Sequence, residues 1–158
     1  MNVKKSICIT VLALTLGVGA AFADHPDGFG IGLQGGWFGE PNGGLTLKFP
    51  KVPVFWSINA DKASLAVAGD YYFIDHDFME GLGFYIGVGA YAGLGVWGWD
   101  DGFNLWAGVR VPIGLSWRPL DLLEIYLQAV PSIGLRIIPP RALWPNFIGG
   151  NLGIRFWF

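Results

Sequence analysis

The sequence predicts an all-β fold, a closed eight-stranded antiparallel up-and-down transmembrane β-barrel after a cleaved N-terminal signal peptide. Three observations predict it. The chain beyond residue 23 alternates apolar residues with polar or small ones at period two. Short clusters of breakers divide that alternation into eight segments. A basic, then apolar, then small-residue N-terminus precedes it. The 158 residues suit one domain. They are 53% hydrophobic and only 14% charged, against roughly 25% charged in a typical soluble domain. The 16% aromatic content excludes disorder. A net charge of −2 argues against nucleic acid as a partner, because phosphate binding needs a basic face. The single Cys, Cys8, excludes disulfide, zinc and thiol redox chemistry in the folded part. No metal site and no cofactor is expected.

Residues 1–23 read as the export signal. Lys4 and Lys5 form its basic start, Ile7 to Gly19 its apolar core, and Ala21-Phe22-Ala23 the cleavage site, with cleavage after Ala23. The apolar core is short for an uncleaved spanning helix, and Cys8 does not lie at the cleavage point as a lipoprotein would require. The barrel is therefore expected over 24–158. It keeps 8 basic side chains against 12 acidic ones once Lys4 and Lys5 are removed. No run of 18 apolar residues free of charge or turn signals follows residue 23, so helices would not place this chain in a membrane.

The eight strands are expected near 28–38, 44–50, 53–60, 64–74, 81–95, 103–118, 122–137 and 147–158. From Phe103 to Arg118 one parity carries Phe103, Leu105, Ala107, Val109, Val111, Ile113, Leu115 and Trp117. Successive strand residues point to opposite faces, so that face is wholly apolar. The other carries Asn104, Trp106, Gly108, Arg110, Pro112, Gly114, Ser116 and Arg118. The segments beginning at Leu82, Ile125 and Ile148 repeat the pattern, and the earlier segments agree. Breakers at 40–43, 50–53, 61–62, 75–80, 100–102, 119–121 and 139–145 give hairpins and modest loops, so a meander is expected. With an even strand number both termini share the periplasmic side with turns at 50–53, 75–80 and 118–121. The loops at 39–43, 60–63, 96–102 and 138–146 face outward.

The apolar face is expected to meet lipid, the sense found in membrane barrels. Its apolar run is nearly unbroken, while the opposite face is too rich in Gly and too poor in charge to face water. Trp37, Trp97, Trp99 and Trp144 are expected at one membrane interface, and Trp56, Trp117, Trp157 and Phe158 at the other, as two aromatic girdles. On the inward parity fall Lys48, Asp70, Arg110, Glu124, Arg136 and Arg155. An eight-stranded barrel is just wide enough to be filled by side chains, and enclosed charges must pair or meet water. The six are read as a salt-bridge and hydrogen-bond plug, with a narrow solute path lined by Arg as the alternative. The inward glycines of the fifth strand are expected to make room for long Arg and Tyr side chains.

No catalytic residue is assigned, and the chain is not read as an enzyme. The only histidines are His25, beside the cleavage site, and His76, in an expected turn. Asp75-His76-Asp77 with Glu80 has the chemistry of a divalent-cation site, but a solvated turn is the simpler reading. Asp100 and Asp101, and Arg141 with Trp144, lie on outward loops that could touch ligands or host molecules.

Four segments carry a family resemblance: Gly39-Glu40-Pro41-Asn42-Gly43-Gly44-Leu45-Thr46-Leu47-Lys48; Gly108-Val109-Arg110-Val111-Pro112-Ile113-Gly114-Leu115; Leu123-Glu124-Ile125-Tyr126-Leu127-Gln128-Ala129-Val130-Pro131; and the ending Gly153-Ile154-Arg155-Phe156-Trp157-Phe158. In these the chain resembles a family of small spirochaetal outer-membrane β-barrel proteins, a domain of unknown function comparable with OmpA, OmpX and OmpW. The resemblance implies location in the cell outer membrane and supplies no catalytic residue. Its partners would be outer-membrane lipid and the barrel assembly machinery, which reads a C-terminal strand ending in Phe. Some relatives are surface antigens thought to bind host proteins through loops. The expected function is a structural or surface-exposed outer-membrane protein. The alternatives are a porin-like, OmpW-like channel or transporter for small or hydrophobic solutes, and a secreted lipocalin-like ligand-binding barrel.

Overall fold

The computed structural model describes residues 28–37, 41–96, 102–142 and 149–158, with the side chains of 141–142 excepted. The described residues contain no helix. Eleven strands form one sheet: β1 (Gly30–Trp37), β2 (Pro41–Lys48), β3 (Pro53–Asn59), β4 (Ser64–Met79), β5 (Leu82–Val96), β6 (Phe103–Arg110), β7 (Ile113–Leu120), β8 (Leu123–Ala129), β9 (Ser132–Ile138), β10 (Arg141–Ala142) and β11 (Gly150–Trp157). Every pairing is antiparallel. β1 pairs with both β2 and β11, and β5 with both β6 and β7, so the sheet closes on itself.

The walls number eight because β6 with β7, β8 with β9, and β10 with β11 are each one wall of the barrel. The first two breaks fall at prolines. Pro112 and Pro131 have no N–H to give a ladder, so the expected strands 103–118 and 122–137 are each interrupted there. The register does not slip: Arg110 faces Ser132 and Ile113 faces Ala129, with two residues between on each strand. The carbonyls still serve, Gly87 donating to Pro112 O at 2.9 Å and Val111 to Pro131 O at 2.9 Å.

The stagger follows from the register. The cross-strand path from Ala92 on β5 runs through Val67, Trp56, Leu45, Leu33, Ile154, Ile125 and Trp117 and returns to β5 at Leu82. After eight steps it lands ten residues from its start, 92 against 82. Closure with stagger tilts the strands by roughly 35–45° to the axis. Every residue on that path is apolar and lies on the outward parity.

The first and last described residues lie at one rim. Phe29 N donates to Phe158 O at 3.1 Å and Phe158 N to Phe29 O at 2.9 Å. The turns around 49–52, 80–81 and 121–122 share this terminal rim, and the 60–63 turn lies at the opposite, loop rim. One expected turn is misplaced: 75–80 is mostly strand, β4 runs on to Met79, and the turn tightens to Glu80-Gly81. Gly81 has φ +72°, a conformation that strains any side chain. The first and last expected loops also shrink, because β2 starts at Pro41 and β9 turns at 139–140 into β10.

Candidate functional site: the filled lumen

Period-two alternation delivers one set of side chains to the lumen, and the charged ones meet there in two groups. The first centres on Glu124 of β8, which is 1% exposed. Its Oε2 accepts from Arg155 Nη1 at 3.3 Å and from Trp157 Nε1 at 3.1 Å, and its Oε1 faces Lys48 Nζ at 3.5 Å. Arg155, 0% exposed, also donates from Nε to Thr46 Oγ1 at 2.9 Å, and its guanidinium carbon lies 3.8 Å from the Tyr126 ring centre. The second group is the ion pair of Arg110 Nη2 with Asp70 Oδ2 at 2.8 Å. Phe55 lies between the groups, with the Arg110 guanidinium 4.8 Å and that of Arg155 5.7 Å from its ring centre. Neutral hydrogen bonds fill the rest. Tyr85 and Tyr72, stacked at 4.3 Å, donate to Gln128 Oε1 at 3.1 and 3.4 Å, and Tyr126 donates to Gln34 Oε1 at 3.0 Å.

Glu124 and Arg155 face each other directly on neighbouring strands, but one rule of register organises several of the other contacts: the partners stand two strands apart, and the strand between them carries a glycine at that position. Asp70 and Arg110 both pair with Gly89. Tyr126 and Gln34 both pair with Gly153, Tyr85 and Gln128 with Gly114, Arg155 and Thr46 with Gly32, and Lys48 and Trp157 with Gly30. Strands two apart are roughly 9–10 Å from each other, so a long side chain must arch over the middle strand to reach its partner. A Cβ at Gly114 or Gly153 would enter the ring of Tyr85 or Tyr126, and one at Gly89 would meet the Asp70 carboxylate. The room expected of the fifth strand's glycines is thus used at Gly87, under Tyr72, and at Gly89.

Five of the six charged residues chosen from sequence are fully enclosed and ion-paired: Lys48, Asp70, Arg110, Glu124 and Arg155. Arg136 is apart from them. It is half-buried on β9, in register with Trp106 of β6, toward the loop rim. The aromatic set divides. Trp37 is exposed on the outward face at the loop rim, and Trp117 and Phe158 are exposed at the terminal rim. Trp157 is not an interface residue. It is 4% exposed inside the lumen, because it shares the parity of Arg155 and parity decides direction regardless of nearness to a rim. Trp56 is half-buried at the middle of β3, not at a rim. Trp97, Trp99 and Trp144, with Asp100 and Asp101, lie outside the described residues.

Two lumen residues escape a strict alternation. Asp75 sits 3.4 Å from Lys48 Nζ because a bulge between Tyr72 and Ile74 adds one residue and inverts the parity of β4 beyond it. Two adjacent exposed apolar residues, Phe73 and Ile74, were the available signal. The same inversion aims Asp77 at Arg118, with which it forms an ion pair at the terminal rim. Asp75 and Asp77 are therefore each engaged by a cation, and no group of acidic, His or Cys residues able to hold a metal occurs among the described residues. Phe55 is hidden by its place in the apolar run Val54-Phe55-Trp56.

The geometry defines the class of protein: a closed eight-stranded antiparallel β-barrel with an ion-paired lumen and an apolar outer wall. No protein-family model matches the chain, and no curated protein matches it either.

Proposed function

We propose that this chain is an integral outer-membrane β-barrel protein with a structural or surface-exposed role, its lumen held shut by the polar network. The observation that carries the reading is the inverted polarity of the wall. Leu33 is 61% exposed, and Val88, Val109, Leu115, Leu127, Ile133 and Leu152 are likewise open, while Glu124 and Arg155 are enclosed. A continuous apolar exterior of this kind marks contact with lipid or another apolar surface. A closed sheet also leaves no unpaired edge in hydrocarbon. A secreted lipocalin-like barrel would need the reverse orientation. The expected leader over 1–23 and the resemblance to small spirochaetal outer-membrane barrels agree with this reading. Lipid and the assembly machinery are then its first partners. Loops at the far rim are the surface available to host molecules.

The mature chain refolded in a zwitterionic detergent should run as two bands on gels, compact unheated and slower after boiling, and should sediment with outer membranes when expressed in a diderm host. A chain that is monodisperse in plain buffer overturns the proposal. A narrow conduit is the second reading, favoured by the half-buried inward side chains near the loop rim. Single-channel recording decides it, and absence of conductance removes it.

A further inference from the structure

Among the described strands, one hydroxyl stands on the outer wall. Tyr71 points outward from β4, is 51% exposed, and has no protein partner among the described residues. It pairs with Val88 of β5. The ten-residue stagger puts it about midway in height between Trp37 at the loop rim and Leu82 at the terminal rim. On the membrane reading, on which this inference rests, that is the middle of the hydrocarbon. An unpaired hydroxyl there is costly, because lipid tails offer it no partner.

The strand tilt fixes what lies above Tyr71. At a tilt of about 40°, with about 3.3 Å per residue and about 4.8 Å between strands, one strand over and two residues up runs almost parallel to the barrel axis. From Tyr71 that step leads to Ala90 on β5, then to Ala107 on β6, then to Ile137 on β9. Small residues flank this line on one side, Gly69 and Ala92. Larger ones flank it on the other, Val88 and Val109, 50% and 54% exposed. A Cβ on Gly69 would meet nothing within 4 Å, so the space over it is open.

We propose that this face binds a second copy of the chain about a two-fold axis along that line. Two barrels inserted the same way can be related by such an axis, and the same patch then meets itself. The rotation turns Val88 onto the partner's Gly69 and Val109 onto the partner's Ala92, each within about one residue of equal height. On the axis, Ala90 and Ala107 let the walls approach closely, as small residues do between membrane segments. Tyr71 meets the partner's Tyr71, and a hydroxyl that both donates and accepts can pair with its own copy. Lipid alone suits this wall poorly. Outward apolar residues run along all 15 residues of β5, about 35 Å of height at this tilt, against an outer-membrane apolar band about 25 Å tall. Leu135 and Ile137, 53% and 43% exposed, stand roughly 9 and 14 Å above Trp37. A second barrel covers them there.

The test uses the chain without residues 1–23, which holds no cysteine, refolded into dimyristoylphosphatidylcholine vesicles. Ala90→Cys lies on the axis and Leu33→Cys on the opposite wall, β1. Mild oxidation should link Ala90→Cys into dimers at least about fivefold more than Leu33→Cys. Energy transfer between N-terminally labelled copies should fall as lipid is added, since mass action separates them and leaves the face to lipid. Ala90→Leu, which crowds the axis, should weaken association at least about tenfold, and Tyr71→Phe, which removes the hydroxyl pair, about threefold. Both side chains face outward, so the two-band gel shift and retention in vesicles, measured on every sample, should not change. A parent that does not enter vesicles overturns the membrane reading and this proposal with it. A parent that inserts but stays single, equal linking of the two cysteine variants, or unchanged association of Ala90→Leu overturns the pairing alone.

Discussion

From the terminal rim to mid-height the lumen is solid, whereas toward the loop rim it is built from small residues and wall-hugging aromatics. In the lower half Arg155, Tyr72, Tyr85, Tyr126 and Glu124 are all essentially out of solvent reach. In the upper half Ser57, Ala66, Tyr91, Trp106 and Arg136 keep partial contact with it. The same strands build both halves, and the same glycine spacing serves both. What differs is the payload placed on the inward parity. Below, it is long charged and aromatic side chains that close on one another. Above, it is small residues and aromatics that lie along the wall. The fold's stability should therefore rest on the lower half, and the upper half should tolerate change.

The strongest test of that asymmetry is Glu124→Ala. It removes the carboxylate that holds Arg155, Lys48 and the Trp157 indole at once. Breaking a buried ion pair from one side costs about 3–5 kcal/mol, because the partner charge stays buried and unpaired; here two cations are affected. Urea unfolding in lipid vesicles, followed by the gel shift, should show loss of most of the barrel's stability or failure to refold. Arg110→Ala leaves one carboxylate, Asp70, without its cation and removes the guanidinium from the Phe55 ring. A smaller but still large fall is expected, near the lower end of that 3–5 kcal/mol range. If Arg110→Ala proves the more damaging of the two, stability is centred on mid-height and the contrast between halves is wrong.

Parity made most of this legible in the sequence. Eight alternating segments and their turns gave the wall count, the meander and five of the enclosed charges, because a half-buried strand writes its two faces directly into alternate residues. What alternation cannot show is a change of phase. The bulge at Phe73 costs one residue and redirects Asp75 and Asp77 inward, and nothing in a period-two count marks where it falls except two adjacent apolar residues. The breaks at Pro112 and Pro131 change ladder bonding without changing direction, so parity survived them. Trp157 was readable two ways, by parity as inward and by its place near the chain end as interfacial. Burial shows that parity prevails. Pairings across an intervening glycine were beyond reach, because they need the register of three strands together.

The glycine rule gives the next effect down. Gly114→Ala puts a methyl against the Tyr85 ring, which is itself fixed to Gln128. Overpacking of this kind costs about 1–3 kcal/mol. Gly69→Ala is the matched control, since a Cβ on its exposed outward face meets nothing within 4 Å. Equal unfolding midpoints for the two variants would mean that the arching side chains shift freely and that the glycines are not required where they stand.

The smallest effect should come from the upper half. Tyr91→Phe removes the hydroxyl that bonds the Ser132 side chain and reaches over Gly108 and Gly134, and leaves the ring in place. A single neutral hydrogen bond contributes about 0.5–1.5 kcal/mol, and partial contact with water sets the expectation at the bottom of that range. The unfolding midpoint in vesicles should then move by less than the Gly114→Ala change and far less than Glu124→Ala. A loss as large as that of Arg110→Ala would show that the upper wall is as tightly committed as the lower one. The contrast between the two halves would then have to be given up, because a ring so firmly held implies neighbours packed against its inner face.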